Sequence, residues 1–225
     1  MFAAPQRRAA SARKGLIRAT IQSNLEHFER RETPSPQSPA AVAIVVLLDG
    51  GVPIVPIFQR PQDMPRHAGQ MALPGGRVHA GEGAEDCALR ELTEELGVSA
   101  ATVDVLGKLD DFDTRSGFTI TPVVVWSGAD VASLRPSRAE VARLFLVGGP
   151  ELRQAVAAAS QRPPDQFSLR LSEVEVFAPT AAILYQFSEV ALDGRSCRVA
   201  DFHQPLWTHR RRRAAGPQRR STNLS

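Results

Sequence analysis

The sequence predicts an α/β domain of the α+β type, with a mixed sheet covered by helices. Three observations carry that expectation: several apolar stretches of strand length, a central helical stretch with one heavily charged face, and a second apolar helix late in the chain. At 225 residues, with 43% hydrophobic and 23% charged side chains, the chain has room for one well-filled domain. Roughly 100–200 residues is the usual domain size.

Residues 14–30 read as a helix, because Leu16, Ile17, Ile21, Leu25 and Phe28 recur at three- and four-residue spacings that line up one apolar stripe. Pro34, Pro36 and Pro39 then remove donors and restrict their predecessors, so residues 32–39 form a linker or long loop. Residues 40–48 read as a buried strand, Asp49-Gly50 as a turn, and residues 52–58 as a second strand. Pro53 and Pro56 place part of that second strand at an edge or bulge. Residues 60–76, polar and rich in proline and glycine, read as a binding loop.

Helical period returns over residues 84–96, with Cys87, Ala88, Leu92 and Leu96 for the core and Gly97 placed as a left-handed cap. Residues 103–109, 119–126 and 141–147 are strand candidates, and most of 130–143 reads as loop. Residues 151–160 form a short alanine-rich helix, and 167–177 alternate well enough for one or two strands. Residues 179–192 close the domain as a helix. The expected organisation is an N-terminal helix and proline-rich linker over 1–39, a domain over 40–208, and a basic, disordered tail over 209–225. No internal repeat is visible, and no Gly-x-Gly-x-x-Gly follows an early strand, so a dinucleotide-binding parallel fold fits poorly.

The net charge of +3 comes from 27 basic against 24 acidic residues, with much of the excess at the two ends. Those ends are nearly all arginine and lack interleaved aromatic side chains, so they read as solvated tails and nucleic acid is not an expected partner. Cys87 and Cys197 form no CxxC spacing and suggest no disulfide scaffold, which favours a reducing compartment and a cytoplasmic protein. The apolar stretch 40–48 is about half the length needed to cross a bilayer, so no membrane span is expected.

Chemistry concentrates on residues 84–96. Glu91, Glu94 and Glu95 stand at i, i+3 and i+4, which places three mutually repelling carboxylates on one helix face. As structure alone that is unfavourable; hard divalent cations, which take oxygen ligands and leave positions for water and phosphate, offset it. A solvated glutamate-rich face is the alternative. Arg90 can form a forked pair with Glu82 and pin the preceding loop to the helix. Gly75, Gly76, Gly81 and Gly83 leave the backbone before the helix approachable.

The stretch from Gly76 through Glu82, Arg90, Glu91, Leu92, Glu94, Glu95 and Gly97 to Val98 resembles the Nudix box, G-x5-E-x7-R-E-U-x-E-E-x-G-U, with every constrained position filled. The resemblance implies a Nudix-like α/β/α sandwich and hydrolysis of a nucleoside diphosphate linked to another group, with Mg2+ or Mn2+ as cofactor. It implies metal-binding roles for Glu91, Glu94, Glu95 and the Gly76 carbonyl, and a structural pair in Glu82 and Arg90. The family uses no single general base.

Upstream, Arg60, Gly69, Pro74, Gly75 and Gly76 are similar to the motif of the coenzyme A pyrophosphatase branch. Phe58, Pro61, Pro65 and Leu73 depart from it, and Arg66 stands one place after its second arginine. Residues 67–70, His67 to Gln70, closely resemble that branch's loop. By this resemblance Arg60, Arg66, His67, Gly69, Gln70 and Gly75 are expected to bind substrate. Residues 114–118 and 121–123 are similar to the branch's segment after the box, and Arg138 to Val141 to its acidic loop. That loop makes Glu140 the loop candidate for a base or further metal ligand. Residues 203–207, ending in Trp207, either wall the site or dock the C-terminus. The expected reaction is hydrolysis of coenzyme A or its thioesters to 3′,5′-ADP and (acyl-)4′-phosphopantetheine. ADP-ribose, NADH or another nucleoside diphosphate derivative is the alternative substrate, a non-catalytic nucleotide-binding module is the alternative class, and a homodimer is possible.

Overall fold

The computed structural model describes residues 4–64, 67–161 and 167–202. Helix α1 spans Ala4–Glu26, strands β1 and β2 span Pro39–Asp49 and Val52–Gln59, and two short strands, β3 (Met71–Ala72) and β4 (Gly75–Arg77), lead into helix α2, Ala84–Leu96. Strands β5 (Asp104–Lys108), β6 (Phe112–Asp113), β7 (Thr119–Asp130) and β8 (Arg143–Gly148) follow, then helix α3, Gly149–Ala159. Strands β9 (Ser168–Arg170) and β10 (Glu175–Phe177) form a separate antiparallel pair before helix α4, Thr180–Gln186, and a π-helical turn over Phe187–Leu192.

The main sheet is mixed: β1 runs parallel to β7, and its other pairings are antiparallel. Its two faces follow from the period-two alternation of the long strands. On one side Ala41, Ala43, Val45 and Leu47 of β1 and Val123 and Val125 of β7 meet Cys87, Ala88, Leu92 and Leu96 of α2. On the other side Ile44, Val46 and Val124 meet Ile21 and Leu25 of α1, Leu152 and Val156 of α3, and Ile183, Leu184 and Phe187 near the C-terminus. This is the expected α/β/α sandwich. Truncating a fully buried side chain such as Leu92 to alanine would cost about 2–5 kcal/mol.

The site is prepared by a split in the sheet. Strands β1 and β2 pair only near their turn, from Leu47–Ile54 to Asp49–Val52. Beyond it they part, and the stretch read as a binding loop supplies β3 to β2 at Phe58 and Gln59 and β4 to β1 at residues 40–42. Pro56, expected at an edge or bulge, is buried where β2 is paired to β8 on one side while neither β1 nor β3 pairs with it on the other. Its missing donor therefore breaks no ladder bond on that side.

The first helix begins earlier and ends earlier than its apolar stripe indicates. Residues 4–13 are alanine- and arginine-rich, good helix formers without a stripe to reveal them. At the other end Arg30 is drawn to the Leu109 carbonyl and Asp111, and the Arg31 N–H to Asp110, so the chain leaves the helix at Glu26. The last helix changes to π geometry at Phe187, which lets Phe187, Ser188, Val190, Ala191 and Leu192 all be buried. Among the described residues no helix is long and apolar enough to cross a membrane. The expected tail over 209–225 and the wall at residues 203–207 lie outside the described residues.

Candidate active site

Helix α2 carries the site because both of its ends are fixed. At its start the Gly83 N–H donates to Asp86 at 3.4 Å, and Glu85 and Asp86 oppose the positive end of the helix dipole. At its end Gly97 adopts the left-handed conformation, φ 69°, and donates to the Thr93 carbonyl at 3.0 Å. The segment after β7 then docks on this end. The Arg135 N–H donates to the Leu96 carbonyl at 2.8 Å and the Ser137 N–H to the Glu95 carbonyl at 2.9 Å, satisfying carbonyls that the helix leaves open. Gly97 permits the approach: a Cβ there would lie 2.7 Å from the Arg135 Cβ.

That docking brings Glu140 to the helix. Glu91, Glu95 and Glu140 each offer a carboxylate oxygen, and these atoms all lie within 4.8 Å of one another. The backbone of β4 runs beside them. Gly75 donates its N–H to Glu95 at 3.0 Å, and a Cβ on Gly76 would collide with the Glu91 carboxylate. A side chain at 76 would therefore have to push the Glu91 carboxylate out of the group. Behind this strand the buried Cys87 thiol, its pKa raised to about 11 by burial, stays protonated and faces the Arg77 and Gly76 carbonyls at 3.3 and 3.6 Å.

Arg90 is the clamp beneath the group. It donates to both oxygens of Glu82, at 2.8 and 3.2 Å, to Glu91 at 2.8 Å, to Glu94 at 3.3 Å and to the Arg77 carbonyl at 3.2 Å. Glu82 also accepts the His79 N–H at 2.8 Å, and these bonds, Arg90 first, hold its pKa down at about 2. Loop and helix are thus tied by a charged fork.

Glu95 is the unusual acid. It is 1% exposed, and burial, aided by Glu91 and Glu140, pushes its pKa up to about 8 against the opposing Gly75 N–H and Arg60. A buried carboxylate ringed by two others is poorly compensated by one N–H and by an Arg60 guanidinium at 3.4 Å. An oxygen-only donor set of this kind fits a hard divalent cation such as Mg2+ or Mn2+.

Other expected residues are distributed around this centre. Glu94 is 52% exposed at its side chain, bonds to Arg90, and lies outside the close group of three: Arg90, four residues earlier, draws its carboxylate along the helix surface. Arg60, His67, Gly69 and Gln70 share a loop that closes on itself, with Arg60 N–H to the Gln70 carbonyl at 3.0 Å, Gly69 N–H to the Arg60 carbonyl at 3.1 Å, and His67 Nδ1 at 3.0 Å from the Gln70 side chain. Arg60 reaches Glu95, while His67, exposed, reaches Gln70. Arg66 lies outside the described residues. Sequence reasoning missed the docking of Arg135 and Ser137 on the helix end. The signal available was Gly97 itself, which ends the helix with carbonyls needing partners.

The NUDIX domain family matches residues 37–186, two thirds of the chain. The chain belongs to the Nudix hydrolase family. The uncharacterized Nudix hydrolase NudL of Pectobacterium atrosepticum is 33% identical to it over 165 residues, 69% of this chain and 84% of that protein. NudL of Yersinia enterocolitica is 34% identical over 132 residues, 56% of this chain and 67% of that one. Among solved structures, a C. elegans Ap4A hydrolase binary complex is similar at 17% identity and a TM-score of 0.46, covering 67% of this chain and 95% of that one. As a Nudix hydrolase the chain acts on a nucleoside diphosphate derivative, and Glu91, Glu95 and Glu140 form its candidate metal centre.

Proposed function

We propose that this Nudix hydrolase cleaves the diphosphate of a compound in the class of ADP-ribose, NADH or coenzyme A, with Mg2+ or Mn2+ bound by Glu91, Glu95 and Glu140. The observation that supports it is the convergence of these carboxylates beside the Gly75-Gly76 backbone, on a helix that Arg90 locks to Glu82. A divalent ion there supplies charge neutralisation at the phosphate oxygens and acidifies water. Glu91 and Glu95 fix the position of that charge, with the Gly76 carbonyl and Glu94 as further oxygen donors. Glu140, half-buried on its loop, completes the oxygen shell or accepts the proton of the attacking water. Water adds to one phosphorus as the bridging oxygen departs with the other phosphate.

Incubating the purified protein with Mg2+ or Mn2+ and a panel of diphosphate compounds, with products resolved by mass spectrometry, tests this. Turnover should require metal. Nucleotide binding without turnover of any compound would make the chain a non-catalytic module instead.

A narrower reading is coenzyme A or its thioesters, favoured by Arg60, which the self-closed loop 60–70 holds beside the carboxylates. Its guanidinium suits a substrate with a phosphate beyond the diphosphate, and Arg66, His67, Gly69 and Gln70 would complete that loop's contacts. Leu73, where the similar motif has phenylalanine, is buried in the core, so the aliphatic substitution is met by packing. Coenzyme A should then exceed ADP-ribose and NADH at least tenfold in kcat/KM. Efficient turnover of ADP-ribose or NADH without turnover of coenzyme A would reject it.

A further inference from the structure

Arg60 is incompletely satisfied where it stands. Its side chain is four-fifths buried, its Nη1 lies 3.4 Å from Glu95 Oε1, longer than a well-formed charged hydrogen bond, and its Nε is buried with no partner among the described residues. Its backbone is not free to adjust, because the Arg60 N–H is given to the Gln70 carbonyl and its own carbonyl accepts the Gly69 N–H. Glu95 is held just as firmly at its other oxygen, by the Gly75 N–H at 3.0 Å. The side chain of Arg60 is therefore the adjustable part. It combines a weak bond to an acid that a cation would claim with an orphaned donor that lacks an oxygen.

We propose that Arg60 serves two partners in succession: it is the hydrogen-bond partner of Glu95 in the metal-free protein, and it is displaced to non-bridging phosphate oxygens once Glu95 turns to a divalent cation. In the first state the guanidinium offsets part of the repulsion among Glu91, Glu95 and Glu140. In the second it faces a like charge across Glu95, and the same electrostatics that drew it in push it out. Diphosphate oxygens then accept from the orphaned Nε and from Nη2, the side-on fork that guanidinium favours and that Arg90 makes with Glu82. Arg60 thereby opposes metal binding in the empty site and favours anion binding in the loaded one. This inference rests on the diphosphate reading above but makes a separate demand, on metal affinity alone.

The test uses the full chain, Mn2+ with its free concentration read by electron paramagnetic resonance, and α,β-methylene-ADP as a non-hydrolysable diphosphate probe followed by calorimetry. Arg60→Gln should tighten Mn2+ binding to the probe-free protein at least threefold and weaken probe binding to the Mn2+-loaded protein at least tenfold. Arg60→Lys, which keeps the charge without the fork, should leave Mn2+ affinity within twofold of wild type while still weakening the probe. Opposite signs from one substitution separate this role from a structural one, which would weaken both, and from simple phosphate binding, which would leave Mn2+ affinity unchanged. Unchanged or weaker Mn2+ binding in Arg60→Gln overturns the proposal. If the Mn2+-loaded wild type binds no probe, the diphosphate reading fails, while the Mn2+ comparison still decides whether Arg60 competes with the ion.

Discussion

Glu95 and Asp110 are both almost fully buried carboxylates, 1% and 6% exposed, yet their surroundings are opposite. Asp110 receives Arg198 on both oxygens, at 2.8 and 3.0 Å, the Gln186 amide at 2.8 Å and the Arg31 N–H at 2.8 Å, and its own N–H donates to Gln186 at 3.2 Å. Asp111 beside it takes Arg30, the Thr33 N–H and the Thr121 hydroxyl. The partners come from residues 30–33, from β7 at Thr121, from α4 at Gln186 and from Arg198 beyond it, so this pair ties the N-terminal segment, the sheet and the C-terminal helix together. Glu95 has one N–H and a loosely placed arginine, and two further carboxylates face it. A buried acid with a full complement of donors is a structural joint, whereas one left short of donors among its own kind is a place for a cation.

The comparison can be broken first at the joint. Asp110→Ala removes the acceptor shared by Arg198, Gln186 and the Arg31 N–H and should destabilise the protein by about 1.5–3 kcal/mol, seen as a fall in Tm in the presence or absence of metal. A loss below 1 kcal/mol would show that Asp110 is no joint. Glu95→Gln should do the reverse: metal-dependent turnover falls at least ~100-fold, roughly 2.7 kcal/mol of transition-state stabilisation, while Tm in EDTA stays level or rises because a buried carboxyl whose charged form burial disfavours becomes a neutral amide. A turnover matching wild type would reject its role.

Glu140→Gln sharpens the contrast further, since its loop is docked by backbone bonds rather than by the carboxylate. Turnover should fall ~10-fold or more, in the range of a lost general base or ligand, with Tm unchanged. The smallest effect concerns the Glu82–Arg90 clamp. Because the Glu82 pKa is depressed from 4.5 to about 2, the clamp's contribution to stability is complete above about pH 4.5 and is lost as pH falls through about 2. The Tm difference between wild type and Glu82→Gln should therefore be constant at neutral pH and shrink between those values. A difference that persists at pH 2 would reject the assignment.

Much of this was legible in the residues. Glu82, Arg90 and Glu91 lie on one helix and its leading turn, and local spacing dictates their meeting. The long strands were legible from their apolar runs. Less visible were β3 and β4, because two- and three-residue strands carry no period and exist only where β1 and β2 part. The grouping of Glu91 and Glu95 with Glu140, and the exclusion of Glu94 from it, was also hidden: on a helical face i+3 and i+4 are equivalent neighbours, and only the docked loop and Arg90 distinguish them.

The sequence by itself determined the family, the charged helix and the clamp that fixes its loop, because those depend on residues within one local stretch. The tertiary structure decided which carboxylates converge, and that Glu95 is buried among them. It also decided that Arg60, 35 residues away along the chain, is its neighbour. Burial and convergence are properties of how segments pack, and the chemistry of a buried carboxylate is set by the donors that packing supplies or withholds.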